Sequence, residues 1–80
     1  MKRNEVNKGI RQLLGLSGAE LARRVEVSRQ TINNYERGIY CTMRPLERVI
    51  EIELDLELDH CIDPEIKEQC EVLREKRYKD

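Results

Sequence analysis

Residues 16–38 read LSGAELARRVEVSRQTINNYERG, and this stretch decides the fold. Ser17 and Glu20 have the spacing of a capping box at the start of a helix of about two turns. Ser28 is a second N-cap, and Gly38 follows at the point where a helix over residues 29–37 would end. Two short helices joined by a tight turn are typical of a helix-turn-helix unit.

The second of these helices has two faces of different chemistry. Ile32 and Tyr35 give it a short apolar face. The opposite face is built of amide and guanidinium side chains: Arg29, Gln30, Asn33, Asn34 and Arg37. Gln and Asn can form paired hydrogen bonds with adenine in the major groove of DNA, and Arg can do so with guanine. We therefore interpret this face as a DNA-reading surface, against the alternative of a merely solvated one.

The same stretch resembles the helix-turn-helix of the Cro and lambda-repressor-like (XRE-type) transcription regulators. The resemblance rests on Ser17, on Leu21-Ala22, on Val27-Ser28-Arg29-Gln30-Thr31-Ile32 and on Tyr35-Glu36-Arg37-Gly38. Arg11 stands where the family places an arginine that pairs with Glu36, and the apolar residues between 46 and 56 follow the spacing of the next family helix.

This resemblance implies an all-α, lambda-repressor-like four-helix DNA-binding domain, here followed by a C-terminal helix. It implies a homodimer that binds double-stranded DNA at a pseudo-palindromic operator and represses transcription, as regulators of phage and other mobile elements do. Gln30 and Asn33 are assigned to base edges. Arg37 and Arg44 are candidates for phosphate contact, and the alternative is that they are solvated surface charges. The candidate DNA-binding residues are Ser17, Ser28, Arg29, Gln30, Thr31, Asn33, Asn34, Arg37 and Arg44.

Three features depart from the family pattern. Gly18 stands where a glutamine usually contacts DNA. Glu26 stands where the turn usually carries glycine, and a left-handed backbone there costs a glutamate about 1 kcal/mol. The loop after Gly38, predicted over residues 39–44, is longer than usual, and Tyr40 and Thr42 in it are further candidates for contact with the DNA backbone.

The sequence on the N-terminal side predicts another helix. Val6, Ile10, Leu13 and Leu14 lie on one helical face, and Gly15 is placed to end that helix. The basic residues Lys2, Arg3 and Lys8 before and within it are expected to belong to a disordered terminus.

The sequence after the loop is ambiguous. Leu46, Val49, Ile50 and Leu54 share a helical face, which favours a helix over residues 45–54 with residues 55–59 extended or turned. The strict alternation of apolar and acidic residues over 50–58 leaves a strand as the alternative. Leu21, Val25, Ile32, Val49 and Ile50 are predicted to form the core.

The last helix is predicted to begin at Asp63-Pro64-Glu65, which combines an N-cap, a first-turn proline and an acidic residue. Its narrow apolar stripe, Ile66, Cys70 and Leu73, is the candidate contact between two copies of the chain, and the alternative is that it packs back on its own domain. We therefore expect a DNA-binding domain over residues 1–59 and a dimerisation element over residues 60–80.

The composition fits one small domain with two differently charged halves. The chain has 80 residues, of which 39% are charged and 39% hydrophobic, and its net charge is −1. Residues 1–48 carry ten Lys or Arg against five Glu, whereas residues 49–80 carry five basic residues against eleven acidic ones. The asymmetry favours a polyanion-facing first half, although charge alone does not establish nucleic-acid binding.

Several other classes of protein are not supported. Three cysteines without framework spacing indicate free thiols in a reducing cytoplasm. His60, Cys61 and Cys70 lack zinc-site spacing and a fourth ligand, so no metal or cofactor is expected. We find no catalytic residue set, and no apolar run long enough for a membrane span or signal peptide.

A protein-interaction module remains the alternative function. The resembled fold also serves in antitoxins, and the acidic C-terminal half could engage a basic partner, as an antitoxin or a phage accessory protein would.

Overall fold

The computed structural model describes residues 1–39 and 44–78, and the regular secondary structure in these ranges is entirely helical. The helices are α1 (Arg3–Leu13), α2 (Gly18–Arg24), α3 (Arg29–Glu36), α4 (Arg44–Asp59) and α5 (Pro64–Lys76). The predicted all-α fold is confirmed. Tyr40 and Thr42 of the predicted loop lie outside the described residues, and Arg44, predicted as the end of that loop, already belongs to α4.

The first three helices end in the same backbone motif. Each is followed by a residue in the left-handed region: Gly15 at φ 77°, Glu26 at φ 59° and Gly38 at φ 72°. The N–H of that residue and the N–H of the next one donate to carbonyls of the last helical turn, at 3.0 to 3.3 Å. This pair of bonds defines a Schellman motif, and it confirms the left-handed backbone expected at Glu26.

The predicted N-caps are confirmed by their hydrogen bonds. The Ser17 hydroxyl accepts from the N–H of Glu20 at 3.0 Å, and the Ser28 hydroxyl accepts from the N–H of Thr31 at 3.1 Å. The Asp63 carboxylate accepts from two N–H groups at the start of α5. The return bond of a full capping box at Ser17 is not among the hydrogen bonds of the described residues, because the Glu20 carboxylate turns to the arginines of α2.

All five helices contribute to one apolar core. Its buried members are Val6, Ile10, Leu16, Leu21, Ala22, Ile32, Tyr35, Ile50, Leu54, Leu58 and Cys70. Val25, Val27 and Leu46 are partly buried against them. The prediction that Val49 is a core residue is wrong, since it is 46% exposed.

Helix α4 runs without a break to Asp59, so the extended or turned segment predicted at 55–59 is wrong, as is the strand alternative. Ile50, Leu54 and Leu58 follow the spacing i, i+4, i+8 and are at most 1% exposed. Burial therefore selects the helical face of the segment, and the alternating residues Ile52 and Leu56 are left outside.

Helix α5 packs mainly on α1. Cys70 is fully buried, and Ile66 and Leu73 pack against the core. A Cβ built on Gly9 of α1 would lie 3.1 Å from Cδ1 of Leu73, so this glycine allows the two helices to approach closely. The stripe considered as a dimer contact is thus covered within the chain, and a dimerisation role for residues 60–80 stays a prediction.

The N-terminal basic residues are ordered, contrary to expectation. Helix α1 begins at Arg3 and includes Lys8. The Arg3 guanidinium donates to the Glu51 carboxylate of α4 at 2.5 and 2.6 Å, and the N–H of Lys2 donates to the Glu5 carboxylate at 3.0 Å. An ion pair to a distant helix therefore fixes the start of the chain.

Candidate nucleic-acid interface

The outer face of α3 presents the polar side chains singled out from the sequence. Ile32 and Tyr35 are buried on the inner side of the helix, which turns the opposite side outward. Arg29, Gln30, Asn33 and Arg37 are exposed, and Asn34 is half-buried. We call these five residues the α3 outer face.

The arrangement of α2 and α3 is fixed from behind by an ion pair. Arg11 of α1 donates to both Glu36 carboxylate oxygens, at 2.7 and 3.1 Å, and to the carbonyl of Leu16 at 2.7 Å. The Arg11 and Glu36 side chains are only 11% and 8% exposed. Arg11 thus ties the end of α3 to the segment that precedes α2, which is the pairing that the family resemblance implies.

An open groove lies between the start of α2 and the α3 outer face. Arg29, Gln30 and Asn33 form one wall, and Gly18 of α2 contributes to the other. Arg11, Ile32 and Glu36 complete the lining. Because Gly18 has no side chain and nothing lies within 4 Å of the position a Cβ would occupy, the groove is wider here than a glutamine would leave it.

Several candidate residues make hydrogen bonds within the helix-turn-helix. The Gln30 amide donates to the Asn34 side-chain oxygen at 3.0 Å, which links two members of the α3 outer face. The Ser28 and Thr31 hydroxyls lie 2.8 Å apart and bond to each other. Ser28 and the cap residue Ser17 are exposed, so their hydroxyls are also accessible from outside.

Arg44 lies apart from this groove. It lines a second, smaller recess with Arg3, Glu47, Arg48 and Glu51. Arg48 was not predicted as a candidate, although its place one helical turn after Arg44 was a usable signal, because residues four apart share a helix face. Arg11 and Gly18 were not predicted to line the groove.

The arginines divide into those held by acidic residues and those left free. Arg3, Arg11, Arg23, Arg24, Arg74 and Arg77 form ion pairs. Arg29, Arg37, Arg44 and Arg48 have no ion pair with any carboxylate in the described part of the chain, and all four are exposed. The charges of the three candidate arginines, and that of Arg48, therefore remain available to an external anion.

Behind α3 lies a buried polar cluster that the sequence did not indicate. Asn7 of α1 donates to the Tyr35 hydroxyl and to the Glu51 carboxylate, both at 2.9 Å, and accepts from Arg77 at 2.8 Å. The Tyr35 hydroxyl donates to the Glu47 carboxylate at 2.5 Å. Tyr35 is 4% exposed and anchors α3 to α1 and α4.

The charges in this cluster shift the acidity of its members. Burial raises the pKa of the Tyr35 hydroxyl above its ordinary value, and the bond to Glu47 adds to the rise. For Glu51, burial raises the pKa, but hydrogen bonds from Arg3 and Asn7 and the charge of Arg77 outweigh it, so the net pKa is lowered. Both groups thus keep their neutral-pH protonation states, Tyr35 as a donor and Glu51 as an acceptor.

The structure also locates the remaining sequence features. Cys61 and Cys70 carry free thiols, and the His60 ring lies 2.7 Å from the Leu56 carbonyl oxygen. Within residues 1–39 and 44–78, no three potential ligands among His, Cys, Asp and Glu converge on a metal-sized site. None of the helices described is long and apolar enough to cross a membrane.

The fold and the α3 outer face define a class of protein, the helix-turn-helix domain. Its second helix, α3, is fixed to the core on its inner side and exposed on its outer face. A family model described as Helix-turn-helix matches residues 8–55, more than half of the chain. The chain belongs to this family and is a DNA-binding transcription regulator of the XRE type, which confirms the resemblance found in the sequence. The searches of curated proteins and of solved structures each return no match.

Proposed function

We propose that this protein is a sequence-specific repressor that binds a pseudo-palindromic operator as a homodimer, with α3 in the major groove. The observation that carries the proposal is the chemistry of the α3 groove. Arg29, Gln30 and Asn33 line it with donors and acceptors, while the one carboxylate in its lining, that of Glu36, is neutralised by Arg11. A surface of this kind suits base edges flanked by phosphates.

We assign Gln30 to the recognition of adenine. One N–H of its amide is used by Asn34, which leaves the second N–H and the carbonyl oxygen for a ligand. Adenine offers an acceptor at N7 and a donor at N6, and this pair matches the free edge of the amide. The bond to Asn34 also restricts the Gln30 side chain before DNA arrives, so less rotamer entropy is lost on binding. Asn33, on the same groove wall, is the second base-reading residue.

The exposed arginines supply the contacts to phosphate. Arg37 and Arg44 are assigned to the DNA backbone because neither is neutralised by a described carboxylate. Arg29 and Asn34 contact either phosphate or base edges, and Ser17, Ser28 and Thr31 bring hydroxyls to the same side of the unit. Such contacts fix the position of the protein on the duplex and make its affinity dependent on salt.

The operator can be identified by selecting bound sequences from random duplex DNA with the purified protein at two salt concentrations. A homodimer selects two inverted half-sites about one helical turn, roughly 10 base pairs, apart. A selected site placed across a promoter is then expected to lower transcription in a purified system. Enrichment of no motif even at low salt would overturn the proposal and favour a protein partner.

Point variants separate base reading from phosphate contact. Gln30→Ala is expected to lose about 1–3 kcal/mol of discrimination at one base pair, while the control Gln69→Ala, on the exposed side of α5, leaves the selected motif unchanged. Arg37→Ala is expected to weaken binding to all sequences and to reduce the salt slope by about 1. Lys76→Ala removes the same charge from α5 and controls for the overall field of the protein.

A further inference from the structure

Helix α4 carries an apolar stripe that stays half-exposed among the described residues. Val49, Ile52 and Leu56 are 46%, 47% and 50% exposed. Their spacing of i, i+3, i+7 places them on one face, opposite Ile50, Leu54 and Leu58, which are buried. We call Val49, Ile52 and Leu56 the α4 stripe. The apolar stripe of α5, in contrast, is already used against α1.

The charged residues beside the α4 stripe complement those of a second α4 helix. Arg48 lies along one edge of the stripe in the N-terminal half of α4, and Asp59 lies along the same edge in the C-terminal half. Both are exposed, and neither has an ion pair among the described residues, whereas Asp55 between them is already bound by Arg77 at 2.9 Å. Two such helices packed antiparallel bring the basic half of each edge against the acidic half of the other. Parallel packing about a two-fold axis would turn this edge to opposite sides of the contact in the two copies, so Arg48 and Asp59 would not meet.

We propose that the occupant of the α4 stripe is a second copy of this chain, packed antiparallel about a two-fold axis near Ile52. Self-complementarity under a two-fold axis is the requirement for the contact between identical subunits, and the α4 edge meets it. Arg48 of each copy then faces Asp59 of the other, and Val49 packs near Leu56 of the other. This inference rests on the proposed homodimer and names its surface.

The small area of the α4 stripe limits the strength of the contact between the two copies. Three half-exposed side chains from each copy cover far less than the roughly 1,600 Å² of a standard stable interface. The dimer is therefore weak in free solution and reaches its full population where two half-sites hold the copies together.

Sedimentation equilibrium of the full chain without DNA tests the surface, at protein concentrations up to about 1 mM so that weak dimers are populated. The wild type is expected to move from 9.5 kDa toward twice that mass as concentration rises. Ile52→Glu sets two like charges against each other at the axis and is expected to raise the dissociation constant at least about tenfold. Val72→Glu makes an equivalent change at a 53% exposed site on α5 and is expected to dimerise as the wild type does.

Exchanging the charges of Arg48 and Asp59 tests the same surface without changing its apolar residues. Arg48→Glu is expected to weaken the dimer, and Arg48→Glu combined with Asp59→Arg to restore it. Three results would overturn the proposal. The wild type could stay monomeric at every concentration, or Ile52→Glu could dimerise fully with an unchanged circular dichroism melt. In the third, the double variant dimerises no better than Arg48→Glu alone. Loss of the dimer in Val72→Glu would also overturn it, and would assign the contact to α5.

DNA binding by the same proteins separates this inference from the proposed function. Ile52→Glu is expected to bind a duplex with one selected half-site as well as the wild type does, and to lose cooperative binding to two half-sites. A wild type that dimerises through α4 but selects no DNA would overturn the proposed function and leave the dimer surface standing.

Discussion

Replacing Glu51 with glutamine tests how much the buried polar cluster contributes to folding. The Glu51 side chain is fully buried and accepts hydrogen bonds from Arg3 at 2.5 and 2.6 Å and from Asn7 at 2.9 Å. The Arg77 guanidinium, also fully buried, lies 3.7 Å away. Glutamine keeps the shape of the side chain but removes its charge and sets an NH₂ group among donors. Arg77 then retains Asp55 as its acidic partner among the described residues.

The size of the destabilisation depends on which partners of Glu51 can reach water. Removing one partner of a buried ion pair costs about 3–5 kcal/mol, because the remaining charge stays buried. The side chain of Arg3 is 36% exposed and can turn toward solvent, whereas that of Arg77 cannot. We therefore expect Glu51→Gln to lower the free energy of unfolding by about 3 kcal/mol, at the lower end of that range. A domain of this size loses about 4–8 °C of melting temperature per kcal/mol, so the melt shifts by at least about 12 °C.

The pH dependence gives a second signature. Because the pKa of Glu51 is lower in the folded protein than its ordinary 4.5, the stabilisation from its charge is complete above that pH. It is lost as the pH falls through the folded-state pKa. The variant has no such group, so the difference in unfolding free energy between wild type and variant is largest near neutral pH and shrinks below about pH 4.5.

Urea unfolding followed by circular dichroism measures both effects, with Glu53→Gln as the matched control. Glu53 is 29% exposed and lies 3.8 Å from Arg24, so its neutralisation is expected to change the free energy of unfolding by less than about 1 kcal/mol. The reasoning is refuted by a loss of less than about 1 kcal/mol for Glu51→Gln, by equal losses in the two variants, or by a difference that persists in acid.

Three further changes test local features of the fold. Glu26→Gly relieves the left-handed backbone at φ 59° and is expected to raise the free energy of unfolding by about 1 kcal/mol, and a lower value would contradict strain at this position. Asp63→Ala removes the acceptor for two N–H groups of α5 and is expected to cost about 1 kcal/mol, read from the thermal midpoint. Burial raises the pKa of the Cys70 thiol, so alkylation at neutral pH, followed by peptide mass, is expected to modify Cys61 well before Cys70, and equal rates would contradict the burial.

The helix boundaries were predictable where their chemistry is local. Ser17, Ser28 and Asp63 each bond to N–H groups two or three residues onward, and a signal of this length is visible in a single sequence. Gly15 and Gly38 mark helix ends for the same reason, since their left-handed backbone belongs to the helix just completed. These features placed the helix-turn-helix correctly without knowledge of any long-range contact.

The errors fall where tertiary packing decides between two local patterns. The alternating residues of α4 fit a strand as well as a helix, and only the fit of Ile50, Leu54 and Leu58 to α1 and the rest of the core selects the helix. Val49 satisfies the helical pattern too, but it lies on the side of α4 that is turned away from the buried face, and it remains half-exposed. The helical spacing of the apolar residues therefore shows which residues can be buried, and tertiary packing determines which of them are buried.

The candidate site divides in the same way. The composition of the α3 outer face could be read from the sequence, since it depends on the helical period alone. The groove opposite it could not, because Gly18 and Arg11 reach it only after α1 and α2 have packed. The buried polar cluster carried no local signal, because Asn7 and Arg77 are 70 positions apart in the sequence.

The same internal contacts that hold the helices together also affect the charge of the proposed DNA-facing side. Glu36, Glu47 and Glu51 bind Arg11, Tyr35 and Arg3 respectively, and all three carboxylates are directed into the fold. These three carboxylates therefore add little negative charge to the surface, while the arginines of the α3 outer face keep no acidic partner among the described residues. The burial of these three acids, together with the free arginines of α3, allows a protein of net charge −1 to present a face suited to a polyanion.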